Sequence, residues 1–175
     1  GEREFPACVA DSLQAGKLQY MANNEVHYAL RGIHVRLLIR WDLAPPPGGR
    51  DTELAVFSGS LSRVEVRQGA AQQFTPEVCV IPNSTAQTTE LRRALDGLLP
   101  ALRREVPGLE VVEAPGQFRL AIPPAQRASH EAHFSMLVSA FLDYVRNPGA
   151  LPAWEQPNLL AKYHVTTRGV ALARQ

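Results

Sequence analysis

The sequence predicts an α+β domain of two layers, a large, mostly antiparallel, open-faced sheet with about three helices on one face. Three observations predict it. The first half of the chain alternates apolar and polar residues, the second half switches to helical spacing, and Pro-, Gly- or Asn-containing turns mark the changes. Alternation sends successive side chains to opposite faces of a strand, whereas helical spacing returns an apolar residue every three or four positions. At 175 residues, 45% hydrophobic and 20% charged, the chain is expected to form a single domain, residues 1–175, that buries a core without disulfides or metal.

Leu18, Tyr20 and Ala22 open the alternation, and Asn23-Asn24 marks a turn. Val26, Tyr28 and Leu30 follow, Arg31-Gly32 turns the chain, and Ile33, Val35, Leu37, Ile39 and Trp41 continue on one face. The opposite face carries His34, Arg36, Arg40 and Asp42, with Leu38 the exception. "APPPGGRD", residues 44–51, is expected to be irregular, because its prolines remove donors and its glycines loosen the backbone. Strand patterns resume in "TELAVFSGS", "SRVEVRQG" and "FTPEVCVIP", where Val64 and Val66 oppose Arg63, Glu65 and Arg67. Leu91, Leu95, Leu98, Leu102 and Val106 then recur at helical spacing, behind a Ser84–Gln87 capping box. Pro100 is expected to kink or split that helix, and Pro107-Gly108 to end it. "LEVVEAPGQFRLAIPP" predicts a hairpin around Pro115-Gly116. A helix from His130, a break at Pro148-Gly149 and Pro152, and a last helix from about Asn158 to Ala173 complete about six to eight strands and three helices.

Lys+Arg of 18 against Asp+Glu of 17 leaves a net charge of +1, which argues against a nucleic-acid or membrane-surface binder. Cys8 and Cys79 form no CxxC pair, so neither a disulfide framework nor a thiolate zinc site is indicated, and a reducing, cytoplasmic location is expected. No apolar run approaches the roughly 18–20 residues of a membrane helix. The opening "GEREFPACVADS" lacks an initiator Met, so the chain is expected to be a piece of a longer protein.

The densest cluster of chemistry-bearing residues is "RASHEAHFSMLV". Phe134, Leu137, Val138, Phe141 and Val145 form one apolar stripe at 100° per residue, with His130 inside it and His133 on its flank. A zinc hydrolase would need H-E-x-x-H and a third ligand; H-E-x-H is one residue short, so no metal is expected. The plainer reading is a helix start, with Ser129 as N-cap and Glu131 at the positive end of the dipole. A substrate-facing role for Arg127, His130 and His133 stays open beside it. Trp154 could stack on a sugar ring or form a hydrophobic staple. Asp51-Thr52 could cap a turn or touch a ligand, and Lys162 could meet substrate or a neighbouring domain. The polar sheet face leaves three readings open, a solvated surface, a ligand surface or a subunit interface in which His34, Arg36, Arg40, Arg63 and Arg67 pair across a two-fold axis.

"HYALRGIHVRLLIRWDLAPPPGGRDT", "VRQG", "SHEAHF" and "LPAWEQPNLLAKYHVTT" together resemble the C-terminal domain of oxidoreductases in the glucose–fructose oxidoreductase / inositol dehydrogenase (Gfo/Idh/MocA) superfamily. The resemblance implies a two-domain enzyme in which an N-terminal Rossmann domain, outside this chain, binds NAD or NADP. The C-terminal domain would shape the pocket for a carbohydrate-like substrate and join subunits into a homo-oligomer through its sheet face. No strand–GxGxxG–helix fingerprint occurs here, so no cofactor is expected in this chain, and the family's catalytic Lys and His would lie upstream. Two stretches depart from the family's habit. "GGRDTE" stands where relatives carry a His-containing loop, and "AKYHVTT" where they read A-K-Y-Y-T-T-T. A non-catalytic assembly module using the open sheet face is the alternative, and a metal-dependent hydrolase on His130 and His133 the third reading.

Overall fold

The computed structural model describes residues 7–18, 23–41 and 47–175, and not the side chains of residues 7–9 and 130. Tyr20, Ala22, Asp42, Pro45, Pro46 and the Cys8 side chain therefore lie outside the described residues. The fold is α+β, and every described strand pair is antiparallel. The chain divides into two compact units, Gly1–Ala44 with Leu151–Gln175, and Pro45–Ala150.

The Pro45–Ala150 unit holds a five-stranded sheet built from β5 (Glu53–Ser58), β6 (Ser62–Gln68), β7 (Glu77–Pro82), β8 (Glu110–Ala114) and β9 (Gln117–Ala121), in the order β5-β6-β7-β9-β8. Its hairpins follow the expected turns. Gly59 donates its N–H to the Ser62 carbonyl at 2.8 Å between β5 and β6, and Gly116 supplies a φ of +71° between β8 and β9. Register places Phe57, Val64, Val80 and Phe118 in one cross-strand row and Glu65, Cys79, Arg119 and Val112 in the next, on the opposite face. The first row meets α1 (Thr88–Glu105): Val80, Phe118 and Leu95 form the buried core, with Leu91, Val111 and Leu120 packed against it.

Helix α1 starts where its sequence predicts. The Ser84 N–H donates to Gln87 Oε1 at 3.1 Å in a reciprocal capping box that launches a 3₁₀ turn into the helix. Pro100 does not split it, and α1 stays continuous to Glu105. The residue is solvent-exposed, so the carbonyl it leaves without an amide partner can turn to water. Helix α2 (His130–Arg146) starts at the predicted cap, with the Ala132 N–H donating to Ser129 Oγ at 3.1 Å. Its apolar stripe does not join the core of the unit, and the residues from Phe134 to Val145 on that side are 41–64% exposed.

The other unit holds two short hairpins and α3 (Glu155–Ala173): β1 (Leu13–Gln14) with β2 (Lys17–Leu18), and β3 (Asn24–Leu30) with β4 (Ile33–Ile39). Arg31 (φ +50°) and Gly32 (φ +79°) make the two-residue turn whose twist suits a hairpin, so His27 pairs with Arg36 and Tyr28 with Val35. The six to eight strands expected of one sheet are thus divided among a five-stranded sheet and two hairpins. Along α3, the Thr167 hydroxyl donates to the Tyr163 carbonyl at 2.6 Å and the Thr166 hydroxyl to the Lys162 carbonyl at 3.0 Å, which accommodates two β-branched polar residues in mid-helix.

Candidate functional site

The approach to α2 is a polar loop held by side-chain-to-backbone bonds. Arg127 anchors it from within, its Nη1 donating to the Pro76 carbonyl at 2.8 Å and its Nε to the Ile122 carbonyl at 3.3 Å. One guanidinium therefore joins the entrance of β7 to the exit of β9. Ser129 then caps the helix, and His130, Glu131 and His133 follow on its first turn, where the helix dipole favours an electronegative group. His133 is exposed, with its imidazole open to solvent. Asp51 and Thr52 are exposed in the same unit just ahead of β5, and the Asp51 carbonyl accepts from Gln68 Nε2 at 3.2 Å. That bond makes Asp51 a strand-entry residue through its backbone and leaves its carboxylate to water.

Trp154 and Lys162 belong to the other unit. Trp154 occupies the N-cap position of α3 and is 56% exposed. Lys162 is exposed, its Nζ 5.5 Å from the Tyr163 ring centroid, a cation–π distance.

Each unit carries its own polar face. On the β3–β4 hairpin, Glu25 Oε1 accepts from Arg36 Nε at 2.7 Å and from His27 Nε2 at 2.8 Å, while the His27 and His34 rings stand 5.4 Å apart. These bonds, Arg36 first, hold the Glu25 carboxyl down at a pKa of about 2. Arg40 is exposed just beyond the end of β4. On the five-stranded sheet, Glu65 is buried and bridges two guanidiniums: Arg63 Nε donates to Oε1 at 2.6 Å and Arg67 Nε to Oε2 at 2.7 Å. Hydrogen bonds from Arg63 and then Arg67 push the Glu65 carboxyl below its ordinary range. Arg67 Nη1 also reaches Gln117 Oε1 at 3.0 Å, and Arg119 pairs with Glu77 at 3.4 Å. Cys79 lies in the same row as Glu65 and Arg119, only 2% exposed, and burial raises its thiol above the ordinary value.

The interface candidates therefore divide between the units, with Arg36 on Glu25, His34 against the His27 ring and Arg40 beyond the strand end in one, and Arg63 and Arg67 around Glu65 in the other. Sequence reading placed these cations on polar faces but missed that a carboxylate organises each one. It also missed the Arg127 clamp, whose partners are backbone carbonyls and leave no trace in residue spacing. In the unit containing β3, β4 and α3, a crevice of about 540 Å³ opens between Val26, Leu37 and Ile39 on one side and Val165, Gly169 and Val170 on the other. The size suits a small molecule, but the walls are mostly apolar and offer little to a polyol. Among the described residues, no three His, Cys, Asp or Glu side chains gather as a metal-ligand set, and no helix is long and apolar enough to cross a membrane.

Residues 1–174 match the family described as "Putative oxidoreductase C terminal domain". No curated protein matches the chain. Among solved structures, a protein from Parabacteroides merdae described as "a putative oxidoreductase" superposes with a TM-score of 0.84 at 30% identity, over 97% of this chain and 39% of that one.

Proposed function

Since the chain belongs to the family described as "Putative oxidoreductase C terminal domain", we propose that it is the substrate-binding and oligomerisation domain of an NAD(P)-dependent oxidoreductase of the Gfo/Idh/MocA superfamily. Its substrate would be a sugar- or polyol-like hydroxyl compound. The match over residues 1–174 carries the reading. The Parabacteroides merdae relative supports it, because this chain spans only 39% of that protein and the rest is long enough for a separate cofactor domain.

The described residues do not themselves fit a dinucleotide. A phosphate cradle needs a glycine turn leading from a strand into a helix. The positive-φ glycines Gly16, Gly32 and Gly116 join strands, Gly48 precedes β5, and Gly108 follows α1. The passage from β7 into α1 runs through "NSTAQ", with no glycine. No hydride step is therefore derived from this chain. Its residues position the substrate. Arg127 fixes the loop at the head of α2. His133 supplies an imidazole on the first turn of that helix, where His130 also stands in the sequence, and Asp51 and Thr52 supply oxygen ligands. Separately, in the other unit, Trp154 offers a ring face to a sugar.

Amide chemical-shift mapping with a panel of sugars and polyols, together with calorimetric titration of NAD and NADP, tests the reading. With the cofactor's wall of the pocket outside this chain, millimolar sugar binding is expected, with shifts concentrated in residues 127–133 and 51–52, and no saturable dinucleotide binding. Absence of any localised shift at 100-fold excess over millimolar would overturn the substrate assignment. Micromolar binding of either dinucleotide would overturn the division of labour.

A further inference from the structure

The two histidines of the β3–β4 hairpin share one face. His27 pairs with Arg36 and His34 with Ala29, so the imidazoles stand diagonally across the ladder, where cross-strand side chains meet. The turn at Arg31 (φ +50°) and Gly32 (φ +79°) sets that register, so nothing outside the hairpin is needed to bring them together. Their ring centroids are 5.4 Å apart at an interplanar angle of 41°. A metal about 2.0–2.1 Å from each ligating nitrogen lies roughly 3.2 Å from each centroid, which separates two rings by about 4.5–5.2 Å at square-planar to tetrahedral angles. The observed spacing is a small side-chain adjustment from that range.

We propose that His27 and His34 are the protein ligands of a site for an imidazole-preferring divalent ion of the Zn²⁺ or Cu²⁺ class, with Glu25 as the positioning carboxylate. The supporting shell is in place. His27 Nε2 donates to Glu25 Oε1 at 2.8 Å, and Arg36 Nε donates to the same oxygen at 2.7 Å. Pairing with Arg36 keeps that carboxylate ionised, and an ionised carboxylate only accepts. The proton is therefore fixed on Nε2, and the Nδ1 lone pair is left for a metal. A carboxylate holding the non-ligating nitrogen is the arrangement that orients a histidine ligand. The same bonds set selectivity. Two imidazoles suit Zn²⁺, Ni²⁺ and Cu²⁺, whereas Ca²⁺ and Mg²⁺ prefer oxygen and meet here one carboxylate already shared by Arg36 and His27. The other coordination positions are open to water, and a bound ion would tie β3 to β4 through their side chains as well as their backbone ladder. The pair His130 and His133, three residues apart in α2, is the rival within the chain.

The test titrates the whole chain, free of any affinity tag and stripped with a chelator, with Zn²⁺ by calorimetry and with Cu²⁺ by electron paramagnetic resonance. One Zn²⁺ per chain should saturate by about 100 µM free ion, and the Cu²⁺ spectrum should show splitting from two nitrogens. His27→Ala and His34→Ala should each weaken Zn²⁺ binding about tenfold or more with an unchanged far-UV spectrum, because both residues are exposed. Glu25→Ala should weaken it about tenfold while keeping the two-nitrogen splitting, and Glu25→Gln, which still presents an acceptor, should recover part of the loss. No saturable binding, binding indifferent to His34→Ala, or binding lost only in His133→Ala overturns the site, and the last would move the ion to the first turn of α2. An affinity unchanged in Glu25→Ala overturns the positioning role of that carboxylate.

Discussion

Replacing Phe118 by Ala tests whether the core of the five-stranded unit sits where the register places it. Phe118 is 1% exposed, pairs with Val80 across the β7–β9 ladder and joins Val80 and Leu95 in the buried cluster. Truncation removes about 100 Å³ of side chain. At ~24 cal/mol per Å³ of unrelaxed cavity this costs about 2.4 kcal/mol, and lost transfer free energy adds about 2 kcal/mol. The expected loss is therefore about 4 kcal/mol, a large share of the stability of a unit of this size. With a urea m-value of about 1.5 kcal/mol/M, the midpoint should fall by about 2.5–3 M. Far-UV circular dichroism with amide exchange on β6, β7 and β9 is the appropriate assay, because Trp41 and Trp154 both belong to the other unit and tryptophan fluorescence would not see the change directly. A loss below about 1 kcal/mol would mean that Phe118 is not the centre of the core, and the β7–β9 register would fall with it.

Glu65→Gln should destabilise the same unit by about 1–2 kcal/mol at neutral pH by weakening two charge-assisted bonds whose arginines are partly solvated. Because the folded carboxyl titrates below its unfolded value, its contribution is complete above about pH 4.3 and is lost as pH falls through the depressed folded value. The gap between the two proteins in urea melts should accordingly narrow below about pH 4.3, and a gap that widens there would refute the sign. Arg36→Ala should raise the Glu25 pKa from about 2 toward the ordinary carboxylate value, as followed by carboxyl NMR titration; an unmoved titration would show that Arg36 is not its main partner. Gly108→Ala should cost about 1–2 kcal/mol in a thermal melt, since φ is +84° and a Cβ would stand 3.0 Å from Pro123 Cγ. A neutral effect would remove the argument for that turn.

What the sequence disclosed was local. Alternation around Arg31-Gly32 located β3 and β4, and a two-residue turn there already implies that residue 27 faces residue 36, so the link between Glu25 and Arg36 was derivable from the turn. The Ser84–Gln87 capping box and the Ser129 N-cap were legible because they are spaced by backbone geometry. What a helix leans against was not legible. The stripe of α2 has the periodicity of a core face, and periodicity records that a face is apolar without naming its partner. Pro100 misled for a related reason, because the cost of a missing amide depends on whether water can reach the abandoned carbonyl, which is a property of burial. The polar loop at the head of α2 was legible as a loop, but residue spacing could not show that the Arg127 donors are engaged by the Pro76 and Ile122 carbonyls.

The strand order β5-β6-β7-β9-β8 also bears on how this unit acquires its structure. Three of its four neighbour pairs are joined by nearby chain: β5 to β6 and β8 to β9 by short turns, and β6 to β7 by a compact loop. The β7–β9 seam is different, since Val80 must find Phe118 across the whole of α1 and β8. Closing that segment costs entropy before any contact compensates, and the cost grows only slowly with its length. The two local ladders are thus expected to form early, with the seam as the slow, committing step. Because Val80 and Phe118 are both buried core residues, the core and the seam must be completed in the same event. A refolding experiment should then show amide protection within β5–β6–β7 and within β8–β9 before the β7–β9 ladder is protected, the latter only after α1 has docked.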